Sequence, residues 1–252
     1  MTLADPVEEA RRIIGAGHEA GLAIRAVGGV AVALIAPTVG QLEPRRTYHD
    51  IDLVAPAGTA AITRLMTDLG YEPATAFNSL NGSERLLYHD TDGRRIDVFI
   101  DTLRMCHDLP FGDGLRNTAW TWTLPPADLL LTKLQIVELT DRDAQDVLAL
   151  LVDHELAETG DGGIDLGRIR RVCGGDWGWW RTVDANLAGL IARWIEPLAV
   201  SERAPLGTRT TATERARALR ATLADCPKSM GWRVRAAVGP RMRWYELPEE
   251  VR

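Results

Sequence analysis

The spacing of apolar and polar positions changes period along the chain, and the changes outline the elements. Residues 6–20 carry an amphipathic helical pattern, interrupted by Gly15 and Gly17. Asp5 can cap that helix, Pro6 suits its first turn, and Glu8 and Glu9 favour the positive end of its dipole. Residues 23–27 read as a short strand broken by Gly28-Gly29, and 30–35 as a second helix stopped by Pro37. A loop rich in Gly, Pro and polar residues runs to Arg46, followed by a strand at 49–54. Residues 58–69 return to helical spacing and end at Gly70. Two strand-like runs, 85–89 and 95–100, flank Asp90-Thr91-Asp92-Gly93, whose Asp-Gly pair predicts a hairpin. In the second run Ile96, Val98 and Ile100 share one face, while Asp97, Phe99 and Asp101 share the other. Residues 102–124 are irregular, with an edge strand expected at 118–123, where Trp120 and Trp122 alternate with threonines.

From Pro125 the period is helical. Helices are predicted at 125–139, 140–157, 165–172, 179–195 and 213–223, with a Gly/Asp-rich turn at 158–163. The expected fold class is therefore α/β (α+β). A mixed sheet flanked by helices fills residues 1–124, and an all-helical domain fills residues 125–252.

Composition adds limits. With 252 residues, 46% of them apolar, the chain can bury a sizeable core. A net charge of −6 argues against a broad nucleic-acid surface, although arginines gather late in the chain (Arg215, Arg217, Arg220, Arg233, Arg235, Arg241, Arg243). Cys106, Cys173 and Cys226 are too scattered for a disulfide framework or a zinc signature. No apolar run is long enough to span a membrane, and residues 1–6 lack a secretory pattern, so a soluble cytoplasmic protein is expected.

The candidate chemistry lies in the first half. On a strand, Asp50 and Asp52 point the same way while Ile51 and Leu53 point to the core. Two adjacent carboxylates repel, and a hard divalent cation such as Mg²⁺ relieves that cost. Gly28-Gly29 stands between a strand and a helix, where backbone amides attract phosphate and absent side chains permit close approach. Asp97 sits in a strand interior and needs a partner, either a metal shared with Asp50 and Asp52 or an arginine such as Arg94 or Arg46.

The ordered set Gly28-Gly29, Asp50-Ile51-Asp52 and Ile96-Asp97-Val98 resembles the polymerase-β-type nucleotidyltransferase superfamily. More narrowly, Arg46-Thr47-Tyr48-His49-Asp50-Ile51-Asp52-Leu53 resembles the Arg-x-x-x-Asp-x-Asp-Leu run of the AbiEii-type group, the toxin-like nucleotidyltransferases of abortive-infection systems. Leu130-Leu131-Thr132-Lys133-Leu134 and Arg142-Asp143-Ala144-Gln145-Asp146-Val147 are similar to helical segments of that group. The likeness covers roughly residues 20–155, with an apparent insertion at 38–44 and with Tyr48 where Ser or Thr is usual.

The resemblance implies a transfer of a nucleoside monophosphate from a nucleoside triphosphate to a hydroxyl of RNA (tRNA included), protein or a small molecule. It also implies a possible antitoxin partner. It assigns one or two Mg²⁺ ions to Asp50, Asp52 and Asp97, with Asp97 alternatively taking the proton of the attacking group. Gly28 and Gly29 would donate to the β/γ-phosphates. Lys133, among Leu129, Leu130, Leu134 and Val137, either snorkels to solvent or contacts phosphate. Arg46 is either a partner for Asp52 or a phosphate ligand, and Asp143 and Asp146, on one helix face, could orient Lys133. The alternative is a catalytically inactive nucleotide- or partner-binding module on the same fold. His49 reads as a rim residue, and the cluster of Trp177, Trp179, Trp180, Trp194, Trp232 and Trp244 as core packing.

Overall fold

The computed structural model describes residues 2–159, 162–196 and 207–247. The chain is α+β, with a five-stranded mixed sheet in its first half and helices throughout its second. It divides into two compact units. The first comprises residues 1–35, 47–103 and 109–125, and the second residues 36–46, 104–108 and 126–252.

The first unit is built on strands β1 (Arg25–Val27), β2 (Asp50–Ala55), β3 (Glu72–Pro73), β4 (Arg85–His89) and β5 (Arg95–Ile100), in the spatial order β1-β2-β5-β4-β3. Within this sheet β2 and β5 run parallel, and the β1–β2, β3–β4 and β4–β5 pairs are antiparallel. The Asp90–Arg94 turn closes the β4–β5 hairpin, with Asp90 accepting from the Arg94 and Asp92 amides and from the Arg94 guanidinium. The apolar face of the sheet carries Ile51, Leu53, Leu86, Ile96 and Val98, all buried. Helices α1 (Pro6–Glu19), α2 (Gly28–Ile35) and α3 (Thr59–Asp68) belong to the same unit, and α1 and α2 pack against β1 and β2.

The glycines inside α1 do not interrupt it, and the missing side chain of Gly17 lets the helix pass close to Ile24. A Cβ there would stand 2.3 Å from the Ile24 Cγ2. Helix α4 (Thr75–Asn81), not foreseen in the sequence, is fixed to β4 by the Asn78 side chain, which donates to the Leu87 carbonyl and accepts from the Leu87 amide.

The edge strand expected at 118–123 does not form. Buried Arg25 reaches from β1 to the Leu115, Asn117 and Thr121 carbonyls, at 2.6, 2.9 and 2.8 Å, and ties that segment into an irregular path. What remains of strand pairing is a single parallel bridge between Ala26 and Thr123. Two hydrogen bonds flank it, Ala26 N to Trp122 O and Leu124 N to Ala26 O. Within 102–116 the chain forms short strands β6 (Thr102–Arg104) and β7 (Asp108–Pro110) and helix α5 (Gly112–Arg116).

The second unit holds α6 (Pro126–Leu134), α7 (Asp141–Asp153), α8 (Leu166–Gly175), α9 (Trp177–Leu190), α10 (Thr208–Asp225) and α11 (Met230–Val238), with a small two-stranded sheet, β8 (Leu156–Ala157) and β9 (Ile164–Asp165). Side-chain caps set several starts. Thr140 accepts from the Asp143 amide, Asp165 from Arg168 and Asp176 from Trp179. The Gly/Asp-rich turn expected at 158–163 lies partly outside the described residues. The helix expected at 125–139 stops at Leu134, because the Asn186 side chain donates to the Leu134 and Ile136 carbonyls, both at 2.8 Å, and satisfies the broken end. Helix α10 begins earlier than the pattern suggested, and α11 escaped it, since its apolar residues Met230 and Val234 are exposed. Trp177 and Trp179 are buried in α9, and the Trp180 indole stands edge-on to Trp232.

Replacing Asn186 by leucine keeps the volume but strands the buried Leu134 carbonyl and the half-buried Ile136 carbonyl. Asn186→Leu is expected to lower unfolding free energy by about 1–3 kcal/mol in urea titrations, with little change in the transition's steepness.

Candidate functional site

The alternation expected of β2 holds: Asp50 is exposed and Asp52 half-buried, between buried Ile51 and Leu53. The β2–β5 register sets Asp50 opposite Arg95 and Asp52 opposite Asp97. Residues paired on adjacent strands share a face, so the three aspartates line one side of the sheet.

At the head of α2, Gly28 adopts a φ of +72°, which only glycine tolerates without strain. A Cβ on Gly28 would lie 2.3 Å from the Asp52 Oδ2. The glycine thus lets the start of a helix approach a strand carboxylate directly. Gly29 follows as the second residue of α2.

Asp97 is the buried member, and its partners differ from those anticipated. Its Oδ1 accepts from the Arg85 Nε at 2.7 Å and its Oδ2 from the Arg95 Nε at 2.8 Å. Arg94 binds Asp90 instead, and Arg46 donates to Asp146. The two arginines of Asp97 went unremarked in the sequence, although a signal was present. Arg95 stands two residues before Asp97 on one strand face, and the Asp-Gly hairpin sets Arg85 opposite Phe99. The Arg85 guanidinium also lies over the Phe99 ring, 5.0 Å from its centroid.

This arrangement decides how a metal would be held. Each Asp97 oxygen accepts one hydrogen bond and keeps a second lone pair, so Asp97 would reach a metal only alongside its two arginines. Among the described residues no three His, Cys, Asp or Glu side chains form a group ready for a metal ion. Asp50 and Asp52 remain, and they suit Mg²⁺, which is commonly held by one or two carboxylates together with substrate phosphates.

The remaining candidates lie in the second unit. The Lys133 Nζ is 3.0 Å from the Asp143 Oδ1 and 2.9 Å from the Asp146 Oδ2. The same Asp146 Oδ2 accepts from the Arg46 Nη2 at 3.0 Å. Asp146 is fully buried, and its Oδ1 has no hydrogen-bond partner among the described residues. Burial alone would lower the Lys133 pKa, yet the charges of Asp146 and Asp143 outweigh it and raise it. For Asp143 burial pushes the pKa up, but the Lys133 charge and the Thr140 hydrogen bonds bring it below the ordinary carboxylate value. Lys133 is therefore neither a snorkelling lysine nor a free cation; it is the hub of a buried four-residue network. His49, exposed just before β2, lies 3.4 Å from the Thr47 hydroxyl.

Two outcomes test this geometry. Gly28→Ala introduces left-handed strain of about 1–2 kcal/mol and displaces the Asp52 carboxylate. It is expected to lower the melting temperature while Gly29→Ala, at an ordinary helical position, lowers it less. The Asp143 contribution depends on pH. Its folded pKa is depressed, so the stability it adds is present above the unfolded value and fades as pH falls through the folded one. Between pH 6 and pH 3 (roughly the carboxylate range), the wild type should lose more stability than Asp143→Asn in melting experiments. No family model matches the chain, and no curated protein matches it in sequence.

Proposed function

We propose that this chain is a metal-dependent nucleotidyltransferase that moves a nucleoside monophosphate from a nucleoside triphosphate to an acceptor hydroxyl. The observation that carries the reading is the juxtaposition in the first unit. Asp50 and Asp52 share a sheet face, Asp52 lies against the positive-φ Gly28 at the head of α2, and Asp97 stands in register on the parallel neighbour. The motif order noted in the sequence supports the same reading.

In this proposal Asp50 and Asp52 hold Mg²⁺, and Gly28 and Gly29 offer backbone amides to phosphate oxygens. The ion supplies neutralisation of charge on the triphosphate and on the departing pyrophosphate. Asp52, kept close to the helix start by the missing Cβ, fixes where that charge is gathered. Lys133 and Arg46 direct their charge to Asp143 and Asp146, which supports a structural part for them within the second unit. Toxin-like action and an antitoxin partner rest on the resemblance alone and belong to the same proposal.

A second reading draws on the double arginine contact of Asp97: a nucleotide-binding module without turnover. One experiment separates the two. The protein is incubated with Mg²⁺ and α-labelled nucleoside triphosphates, alone and with cell RNA or protein. Label transfer or pyrophosphate release that falls at least about 100-fold in Asp52→Asn (the scale of losing a charge-stabilising catalytic group) supports the enzyme. Nucleotide binding without pyrophosphate release under any condition supports the module.

A further inference from the structure

We infer that Arg85 and Arg95 form a polyphosphate-binding pair, and that Asp97 is the positioning residue that aims them. The Asp97 side chain is 3% exposed and accepts one charge-assisted hydrogen bond on each oxygen. Both donors are Nε atoms. Among the described residues the hydrogen bonds of these two guanidiniums run through Nε alone. The Nη groups, four nitrogens in all, keep their donors for something else. The side chains are 26% and 32% exposed, so that something reaches them from solvent.

The free Nη donors, rather than the net charge of the face, suit an anion. Two guanidinium charges meet the single buried carboxylate of Asp97, and Asp50 and Asp52 stand on the same face opposite Arg95 and Asp97. Each fork is also restrained, Arg85 by the faces of Phe99 and Phe77 and Arg95 by its place beside Asp97 on the same strand face. Pre-aimed guanidiniums lose little entropy on binding and match the paired oxygens of phosphate. Asp50, opposite Arg95, adds the carboxylate that would share a metal with that anion. The ligand class is a linear polyphosphate: the triphosphate of a nucleotide or free inorganic pyrophosphate and tripolyphosphate. The inference rests on the nucleotidyl-transfer reading only for the source of that anion.

The test uses inorganic tripolyphosphate in EDTA with the full chain. Arginines are modified with phenylglyoxal and quantified by mass spectrometry, with and without the anion. Tripolyphosphate should protect Arg85 and Arg95 and leave exposed Arg116 and Arg241 unprotected. By calorimetry, Arg85→Gln and Arg95→Gln should each weaken binding about tenfold, the effect of one charge-assisted hydrogen bond. Asp50→Asn, which removes the carboxylate paired in register with Arg95, should tighten it. Asp97→Asn, checked for folding by its melting curve, should lose the protection at both arginines. Equal labelling of all four arginines with and without tripolyphosphate overturns the inference, as do glutamine variants that bind like the wild type. Protection persisting in folded Asp97→Asn overturns the positioning role. Protection without any nucleotidyl transfer sinks the enzyme reading and leaves the anion site standing. Transfer without protection does the reverse.

Discussion

A carboxylate in the middle of a central strand has to be matched, and the first unit is arranged around the matching of Asp97. Its strand lies between β2 and β4, its side chain is almost wholly enclosed, and an uncompensated charge in such a place costs several kcal/mol. The match comes from both sides. Arg95 reaches along its own strand and Arg85 across the hairpin. That solution fixes the β4–β5 register and crowds the Asp97 oxygens. Asp50, exposed, and Asp52, half-buried, stand beside Asp97 on the same sheet face. The chemistry open to the sheet face follows from how this one charge is neutralised.

The second unit solves a similar problem with a different outcome. Asp146 is buried beside Lys133 and Arg46, and the network joins α6, α7 and the segment 36–46. Residues 38–44 of that segment looked like an insertion between the glycines and the aspartate pair. Its fold explains its length. The Thr38 amide and hydroxyl bind the Asp153 carboxylate, Gln145 donates to the Pro44 carbonyl, and Arg46 ends on Asp146. Residues between two motif elements of the first unit are thus held by α7 of the second.

How far the sequence reaches can be judged from particular residues. The period-2 run 95–100, the Asp-Gly turn and the cap at Asp5 are local, and each leads to the element it predicts. The shared face of Asp50 and Asp52 follows from alternation alone. What escapes is set by partners distant in sequence. The run 118–123 has strand-like alternation, yet Arg25, some 90 residues earlier, claims the surrounding carbonyls. The pattern continues past Leu134, yet Asn186 ends the helix there. Arg85 reads as an ordinary polar strand start until the hairpin brings it to Asp97. Local periodicity carries no information about which long polar side chain will satisfy which buried group.

The bridge between Ala26 and Thr123 bears on how this unit behaves beside copies of itself. The outer side of β1 is occupied by the hydrogen bonds to Trp122 and Leu124, and the opposite margin of the sheet is a two-residue strand ending in Pro73. Open strand margins are templates for intermolecular pairing, and proline or a covering segment suppresses it. With both margins blunted, the sheet offers no ready row of backbone donors and acceptors to another chain. Self-association through continuous sheet growth is disfavoured, and recognition by this unit falls to side chains.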